Sequence, residues 1–188
     1  MLRLARTFEL LTAALDGLAV PYVVVGSVAS SARGSYRATE DIDLLAKISP
    51  HDAAELAQAL GKDWYADADQ IRDATAAGRA FNLIYIPFSQ KVDIFPVKDE
   101  FCVAQLERAT RLPLPALETG AQYPVATAED IMLAKLQWYK AGGETSERQW
   151  TDILKVILAT PDMDWAYVES WAPRLGVDVL LVRARAAA

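Results

Sequence analysis

Side chains that commonly carry nucleophilic or metal chemistry are scarce in this sequence. Its 188 residues include one cysteine, Cys102, and one histidine, His51. A single cysteine excludes a disulfide within the chain and a zinc site built from several thiolates. The single histidine follows Pro50 at the expected start of a helix, where we expect it at the surface rather than in a catalytic pair. Any chemistry is therefore expected to depend on carboxylate, hydroxyl and cationic side chains.

Long apolar runs are missing as well. No stretch reaches the roughly 20 apolar residues that a membrane-spanning helix needs, so we expect no membrane partner. Near the N-terminus, Arg3, Arg6, Glu9 and Asp16 interrupt the apolar positions. This pattern is not typical of a signal peptide, and we expect a cytoplasmic protein.

Positive charge is in short supply. The 19 Lys and Arg residues are outnumbered by 25 Asp and Glu residues, which gives a net charge of −6. Because proteins that bind long polynucleotides usually present a basic face, this balance disfavours such a substrate. A local basic patch stays open as an alternative, because folding can bring together five cations of the sequence: Arg33, Arg37, Arg72, Arg79 and Lys91.

Apolar residues are abundant, at 53% of the chain, which is enough for a substantial core. Their spacing predicts an α/β protein of the α+β type. Helices are predicted over 2–18, 50–60 and 101–109, from Thr127 and from Ser146 onward, and twice within 164–186. Strands are predicted over 22–25, 41–44, 80–87 and 91–96, with a further hairpin over 112–127. Residues 62–79 are ambiguous, and a short helix over 67–77 is one interpretation.

The stretch over 23–46 organises the chain. It opens with β-branched residues, turns at Gly26 and Ser27, and closes on a second strand that carries Asp41 and Asp43. Because residues two apart on a strand share a face, both carboxylates project to the same side of the sheet. Two like charges held this close repel each other, and a bound cation is the usual remedy. The stretch therefore predicts a divalent-metal site.

A phosphate site is predicted at Gly26 and Ser27, just before the short helix that follows the first strand. Free backbone N–H groups and the helix dipole favour a phosphate at such a position. Taken alone, a Gly-Ser turn is most often an ordinary turn, and an Asp-x-Asp on a strand edge is most often solvated surface. Their combination at this spacing is more specific than either feature.

Asp93 is a third candidate carboxylate. It lies between Val92 and Ile94 on the predicted strand 91–96, so it faces away from these two apolar side chains. On its own, such a residue is usually just an aspartate at a strand edge. If its strand neighbours the one that carries Asp43, however, the carboxylate of Asp93 can join the same site.

Two C-terminal helices carry the remaining candidates. Lys135 lies in the helix that Thr127 caps, and a lysine on an apolar stripe either extends past the core or points at an anion. The stripe around it consists of Ile131, Met132, Trp138 and Tyr139. On the following helix, Arg148 and Asp152 lie four residues apart, which by default predicts a surface ion pair.

The central stretch resembles the signature of a known superfamily. It resembles the pattern of the DNA polymerase β-like nucleotidyltransferases. The matching residues are an apolar residue, then Gly26 and Ser27, then thirteen further residues, and then the run 41–44, Asp-Ile-Asp-Leu. The segment 37–44, Arg-x-Thr-x-Asp-Ile-Asp-Leu, is similar to the small bacterial members. These include the AbiEii/AbiGii-type abortive-infection toxins and the antibiotic nucleotidyltransferases. The strands around Asp93 and the segment 133–157 also resemble the toxin members.

This resemblance implies a fold, an activity and a set of metal ligands. A nucleotidyltransferase core, a small mixed β-sheet with packed helices, would occupy residues 1–127, and a C-terminal helical region over 128–188 would pack on it. The implied reaction transfers a nucleoside monophosphate from an NTP substrate, with two Mg²⁺ ions as the cofactor. The implied metal ligands are three carboxylates: Asp41, Asp43 and Asp93.

The resemblance also implies which residues contact the nucleotide. Lys135 would be catalytic as well, because its charge offsets the negative charge that grows on the phosphate during transfer. With Arg148 and Asp152, it matches the fourth motif of the toxin members residue by residue. The full set of implied nucleotide contacts is Gly26, Ser27, Arg37, Lys135, Arg148 and Asp152.

The acceptor of the nucleotide stays open at this point. An RNA end, a side chain of a partner protein and a small antibiotic are the alternatives, and the toxin members imply an antitoxin partner. Two other classes compete with an enzyme: a nucleotide-binding antitoxin or interaction partner without useful turnover, and a purely structural interaction domain. The presence of Asp41, Asp43 and Asp93 favours the enzyme.

Overall fold

A computed structural model of the protein describes residues 2–35, 41–118 and 120–188. The predicted nucleotide contact Arg37 lies outside the described residues. Within the described ranges, each helix is too short or too polar to cross a lipid bilayer.

One mixed sheet forms the centre of the described chain. Its strand order is β3-β4-β5-β2-β1-β7-β6. Neighbouring strands are antiparallel except for two pairs, β2 with β5 and β1 with β7, which are parallel. The strands are β1 (Tyr22–Val24), β2 (Ile42–Ala46), β3 (Trp64–Tyr65), β4 (Phe81–Tyr85), β5 (Gln90–Pro96), β6 (Thr110–Pro113) and β7 (Gln122–Val125).

Helices alternate with and then follow these strands, so the predicted mixed α/β class is confirmed. Short 3₁₀ turns occur at Pro50–Asp52, Ile86–Phe88 and Pro115–Leu117. The α-helices are α1 (Leu2–Gly17), α2 (Gly26–Ala32), α3 (Ala53–Leu60), α4 (Ala68–Ala76), α5 (Glu100–Arg108), α6 (Ala128–Ala141), α7 (Glu147–Leu158), α8 (Trp165–Trp171) and α9 (Asp178–Ala187).

Side-chain caps fix the starts of the helices that matter for the site. Thr127 Oγ1 accepts a hydrogen bond from the backbone N–H of Asp130 at 3.3 Å and donates one to Asp130 Oδ2 at 2.9 Å. Ser146 caps α7 in the same way, through the backbone N–H of Gln149. Each cap satisfies a backbone donor that a helix start otherwise leaves without a partner. The helix predicted from Pro50 differs in detail, because it opens with a 3₁₀ turn before α3.

Alternate side chains of the central strands lie in two different environments. Ile42 and Leu44 of β2 and Ile94 of β5 are almost fully buried in the hydrophobic core, to which α1 also contributes. Asp43 and Leu45 of β2 project from the opposite face of the sheet, where α6 and a cleft lie. The division of the chain at residue 127 stays a prediction.

Candidate active site

The site begins where two parallel strands carry aspartates side by side. In the register of β2 with β5, Asp43 is the Cα partner of Asp93. Paired residues of neighbouring strands project to the same face, so both carboxylates belong to one surface of the sheet. Asp41 directly precedes β2 and is exposed, whereas Asp43 is partly buried. The condition for Asp93 to join the other two acids, a strand next to β2, is therefore met.

Gly26 lies directly against the Asp43 carboxylate. Its φ is +65°, and a Cβ atom at this position would lie 2.0 Å from Asp43 Oδ2. The backbone is tied down here as well, because the N–H of Val25 donates to the carbonyl oxygen of Asp43 at 3.0 Å. Glycine is consequently required at this point, for its backbone conformation and for the missing side chain. Ser27 follows in the first turn of α2 and lines the cleft.

Negative charge accumulates around Asp43. Its pKa is raised from 3.8 to about 6, first by burial and then by the negative charges of Asp93 and Asp41, against the opposing effect of Lys91 and Lys135. A carboxylate in this state is stabilised by an added cation.

Lys91 supplies part of the positive charge that opposes the rise in the pKa of Asp43. It lies two residues before Asp93 on the same face of β5, and its Nζ is 2.7 Å from Asp93 Oδ2. The hydrogen bond to Asp93 raises the pKa of Lys91. The sequence assigned Lys91 only to a possible basic patch, although the alternation Lys-Val-Asp already places both side chains on one face.

The carboxylates match Mg²⁺ in chemistry but are not gathered into a finished metal site. Mg²⁺ prefers hard oxygen ligands, usually one or two carboxylates together with substrate phosphates. Among the described residues, no group of three or more Asp, Glu, His or Cys side chains is arranged to hold a metal ion. A cation bound by Asp43 and Asp93 would compete with Lys91 for Asp93. The donor set fits a metal that is shared with a phosphate ligand.

A second charged pair faces these acids from the helices. Lys135 Nζ of α6 lies 3.8 Å from Asp152 Oδ2 of α7, and both side chains are more than four-fifths buried. Both residues line the cleft that contains Asp43. Arg148 is exposed on α7 and is not among the described residues that line this cleft. Its predicted nucleotide contact stays a prediction.

The cleft between the sheet and α6 has a volume of about 1120 Å³. Its lining includes Gly26, Ser27 and Asp43 from the sheet side, and Lys135 and Asp152 from α6 and α7. The lining also includes the aromatic residues Phe95 and Trp138, neither of which the sequence marked as a candidate site residue. A cleft of this volume accommodates a ligand of nucleotide size.

Comparison with known proteins gives the fold its class. No family model and no curated protein matches the sequence. Two solved structures of ANT(2″)-Ia do match. Its solution structure, described as that of an antibiotic-resistance factor, is 19% identical with a TM-score of 0.53 over 97% of this chain and 93% of that chain. The crystal structure of its complex with adenylyl-2″-tobramycin is 16% identical with a TM-score of 0.52 over 91% and 95%.

An antigenic nucleotidyltransferase-like protein from Paracoccidioides brasiliensis also matches, at 22% identity and a TM-score of 0.48 over 84% of this chain and 75% of that one. The two matches to ANT(2″)-Ia show that this chain shares the fold of that protein. The predicted resemblance to the abortive-infection toxins stays a prediction.

Proposed function

We propose that this protein is an enzyme that transfers a nucleoside monophosphate from an NTP to an acceptor hydroxyl in a reaction that requires Mg²⁺. The observation that carries the proposal is the contact of Gly26 with Asp43, beside the register pair of Asp43 and Asp93. The contact places the backbone of Gly26, which has no side chain, beside a group of carboxylates on one face of the sheet. The hydroxyl of Ser27 belongs to the next residue. A triphosphate and its metal need these two features side by side.

In this proposal the nucleotide lies between the sheet and α6. Gly26 and Ser27 contact the phosphates, and Lys135 offsets their charge from the opposite side of the cleft. Arg37, Arg148 and Asp152 keep their proposed contacts with the nucleotide. Asp41, Asp43 and Asp93 would hold Mg²⁺, which when bound neutralises the phosphate oxygens and the leaving pyrophosphate.

The transfer itself exchanges one bond for another. The acceptor oxygen forms a bond to the α-phosphorus of the NTP, and the bond from this phosphorus to the bridging oxygen of the β-phosphate breaks. Pyrophosphate leaves with the electron pair of that bond. Asp93 takes the proton of the acceptor hydroxyl, since a carboxylate within hydrogen-bond reach of the nucleophile acts as a general base.

An antibiotic acceptor is the second candidate, and the fold favours it. The neighbour ANT(2″)-Ia is described with adenylyl-2″-tobramycin, and the likeness spans nearly the whole of both chains. The charge of the cleft argues the other way, because tobramycin is a polycation and the cleft carries more cations than acids. The charged lining consists of Arg79, Lys98, Lys135 and Lys140 against Asp43, Asp99 and Asp152.

A transfer assay tests the proposal. The protein is incubated with each α-³²P-labelled NTP, Mg²⁺ or Mn²⁺, and one acceptor pool at a time: total RNA, copurified protein or tobramycin. We expect label to move to one pool, and to be lost in Asp43→Asn and Asp93→Asn. Asp69→Asn is the matched control, because Asp69 pairs with Arg72 on the surface of α4.

The outcomes separate the alternatives. Tight NTP binding without transfer to any pool would favour a nucleotide-binding partner, such as an antitoxin, over an enzyme. If the wild type neither binds NTP nor transfers label, the proposal is refuted. Label on RNA or on a copurified protein would favour a toxin acting within a toxin–antitoxin pair.

A further inference from the structure

Trp138 is the large aromatic residue that the cleft leaves open. It lies three residues after Lys135 on α6, and so on the same side of the helix. Its exposed fraction is 58% although it lines the cleft. Phe95 supports it from β5 in an edge-to-face contact, with 5.9 Å between the ring centroids.

Phe95 and Trp138 each follow a residue of the proposed active site on the same strand or helix. Phe95 follows Asp93 by two residues on the same face of β5, a distance of roughly 7 Å along a strand. Trp138 follows Lys135 by one helical turn. A ligand whose phosphates lie at Gly26 and Asp43 therefore has the length to reach the two rings with a flat group of its own. The ring faces of Trp and Phe stack on nucleobases of any sequence, because every base has a π-face.

Gln105 adds a polar group to the lining of the cleft. The residue is only 6% exposed and lines the cleft from α5. In the part of the chain that the structure describes, no hydrogen bond of its side-chain amide is found. Gln105 is not among the described residues with a buried side-chain nitrogen or oxygen that lacks a partner, so its amide is open to solvent at the cleft. An amide offers both a donor and an acceptor, and the edge of a nucleobase presents the same two kinds of group.

Two cations of the cleft lining agree with a nucleotide ligand. Arg79 and Lys98 both line the cleft and are exposed. Within the described ranges, neither forms an ion pair. Asp99, the acid beside them, is already used as the N-cap of α5 through the backbone N–H of Cys102. Cations of this kind attract the phosphates that accompany a nucleobase.

We propose that Trp138, supported by Phe95, stacks on a nucleobase in this cleft and that the amide of Gln105 hydrogen-bonds to the edge of that base. The inference rests on the proposed nucleotidyl transfer and assigns a binding group to its substrate. Two sources share the chemistry: the base of the donor NTP, or a base of an acceptor that is itself a nucleotide or nucleic acid.

Binding measurements with three probes test the stacking. The affinities of MgATP, magnesium tripolyphosphate and an oligoadenylate trinucleotide are measured by calorimetry for the wild type and three variants. Trp138→Leu removes the ring, and Trp138→Phe keeps one. Tyr65→Leu is the matched control, because Tyr65 is 53% exposed and is not among the described residues that line the cleft.

The expected result is a selective loss in Trp138→Leu. Its affinity for MgATP or for the trinucleotide falls about 5- to 150-fold, the range of a lost base–aromatic stack, while tripolyphosphate stays within about twofold. Trp138→Phe retains most of the affinity, and Tyr65→Leu changes nothing. A loss for MgATP identifies the donor base, and a loss confined to the trinucleotide identifies an acceptor base.

Three results would overturn the stacking proposal. They are unchanged affinity for both base-containing probes in Trp138→Leu, an equal loss for tripolyphosphate, and no wild-type binding of either base-containing probe. Tripolyphosphate binding by the wild type reports on the phosphate site separately. If the nucleobase site fails but tripolyphosphate still binds, the proposed function is not contradicted. If a base-containing probe binds but tripolyphosphate does not, the failure lies in the proposed phosphate site instead.

A second variant tests the assignment of Gln105. Gln105→Leu replaces the amide with an apolar group of similar size, and we expect no loss of melting temperature, because no hydrogen bond of that amide to another described residue is removed. The differences in affinity among ATP, GTP, CTP and UTP, or among trinucleotides of different base, should narrow in this variant. Unchanged selectivity for both kinds of probe would remove Gln105 from the proposed site.

Discussion

A Cβ atom on Gly26 would lie 2.0 Å from Asp43 Oδ2, closer than two non-bonded atoms can come. The start of α2 and the carboxylate on β2 therefore fit together only when residue 26 is glycine. This contact joins the proposed phosphate site to the proposed metal ligands.

Gly26→Ala should lose both stability and NTP binding. The left-handed φ of +65° and the collision with Asp43 each oppose the new side chain, and we expect a loss of at least about 2 kcal/mol in the free energy of unfolding. Urea denaturation and NTP titration measure the two effects. Gly143→Ala is the matched control, because Gly143 has a φ of +75° with nothing within 4 Å of an added Cβ. Equal losses in the two variants, with NTP affinity retained, would contradict this account of Gly26.

Asp43→Asn should stabilise the metal-free protein in a pH-dependent way. The pKa of Asp43 is raised from 3.8 to about 6, mainly by burial and then by Asp93 and Asp41. The folded state then holds the proton more tightly than the unfolded state, so the stability of the wild type falls as pH rises from about 4 to 6. Asparagine does not ionise and avoids this loss.

The difference between Asp43→Asn and the wild type should therefore be small near pH 4 and grow to as much as about 3 kcal/mol at pH 7. Thermal melts in EDTA at several pH values measure it. A difference that does not change with pH, or a variant that is less stable at pH 7, would show that Asp43 makes a stabilising contact as a charged group.

Lys91→Met should strengthen the binding of Mg²⁺ in the absence of NTP. The ammonium of Lys91, 2.7 Å from Asp93 Oδ2, occupies the carboxylate that a metal would use. Because the Lys91 side chain is half exposed, the gain is expected to be modest, up to about fivefold in affinity. Calorimetry with Mg²⁺ measures it, and Lys62→Met serves as a control at another exposed lysine. Weaker Mg²⁺ binding in Lys91→Met would argue that Lys91 orders Asp93 for the metal.

Mutations should separate the contribution of Lys135 to stability, through its ion pair with Asp152, from its contribution to NTP binding. Lys135→Met takes the cation away from Asp152, 3.8 Å distant, and should cost on the order of 1 kcal/mol of stability. It should also weaken NTP binding about tenfold or more, because a charged contact with phosphate is lost. Combining it with Asp152→Asn should restore stability but not NTP affinity. If NTP affinity stays within about twofold in both variants, Lys135 serves only the ion pair.

Local signals in the sequence predicted most of the elements. The β-branched run 23–25, the Asp-Ile-Asp-Leu run, the cap at Thr127 and the helix start near Ser146 predicted strands and helices close to those observed. Such signals depend on neighbours within a few residues of each other, which the sequence shows directly. The ambiguous segment 62–79 holds α4, which Asp67 caps through the backbone N–H of Gln70.

Relationships between distant parts of the chain were not predictable in the same way. The pairing of Asp43 with Asp93 depends on which strand lies beside β2, and the order of strands in the sheet does not follow from local sequence patterns. Trp138 belongs to an apolar stripe in the sequence, but α6 packs so that this ring faces the cleft. Asp130 illustrates the same point, because its buried carboxylate accepts a hydrogen bond from Tyr167 Oη at 2.6 Å, 37 residues away.

The most direct test of the central claim is calorimetry of Mg²⁺ binding with and without NTP, since it requires no knowledge of the acceptor. The account predicts weak binding of Mg²⁺ to the free protein and binding at least about tenfold tighter when NTP is present, because the carboxylates share the metal with the phosphates. Asp43→Asn and Asp93→Asn should abolish this enhancement. Equally negligible Mg²⁺ binding with and without NTP in the wild type would contradict a metal-assisted nucleotide site at these residues.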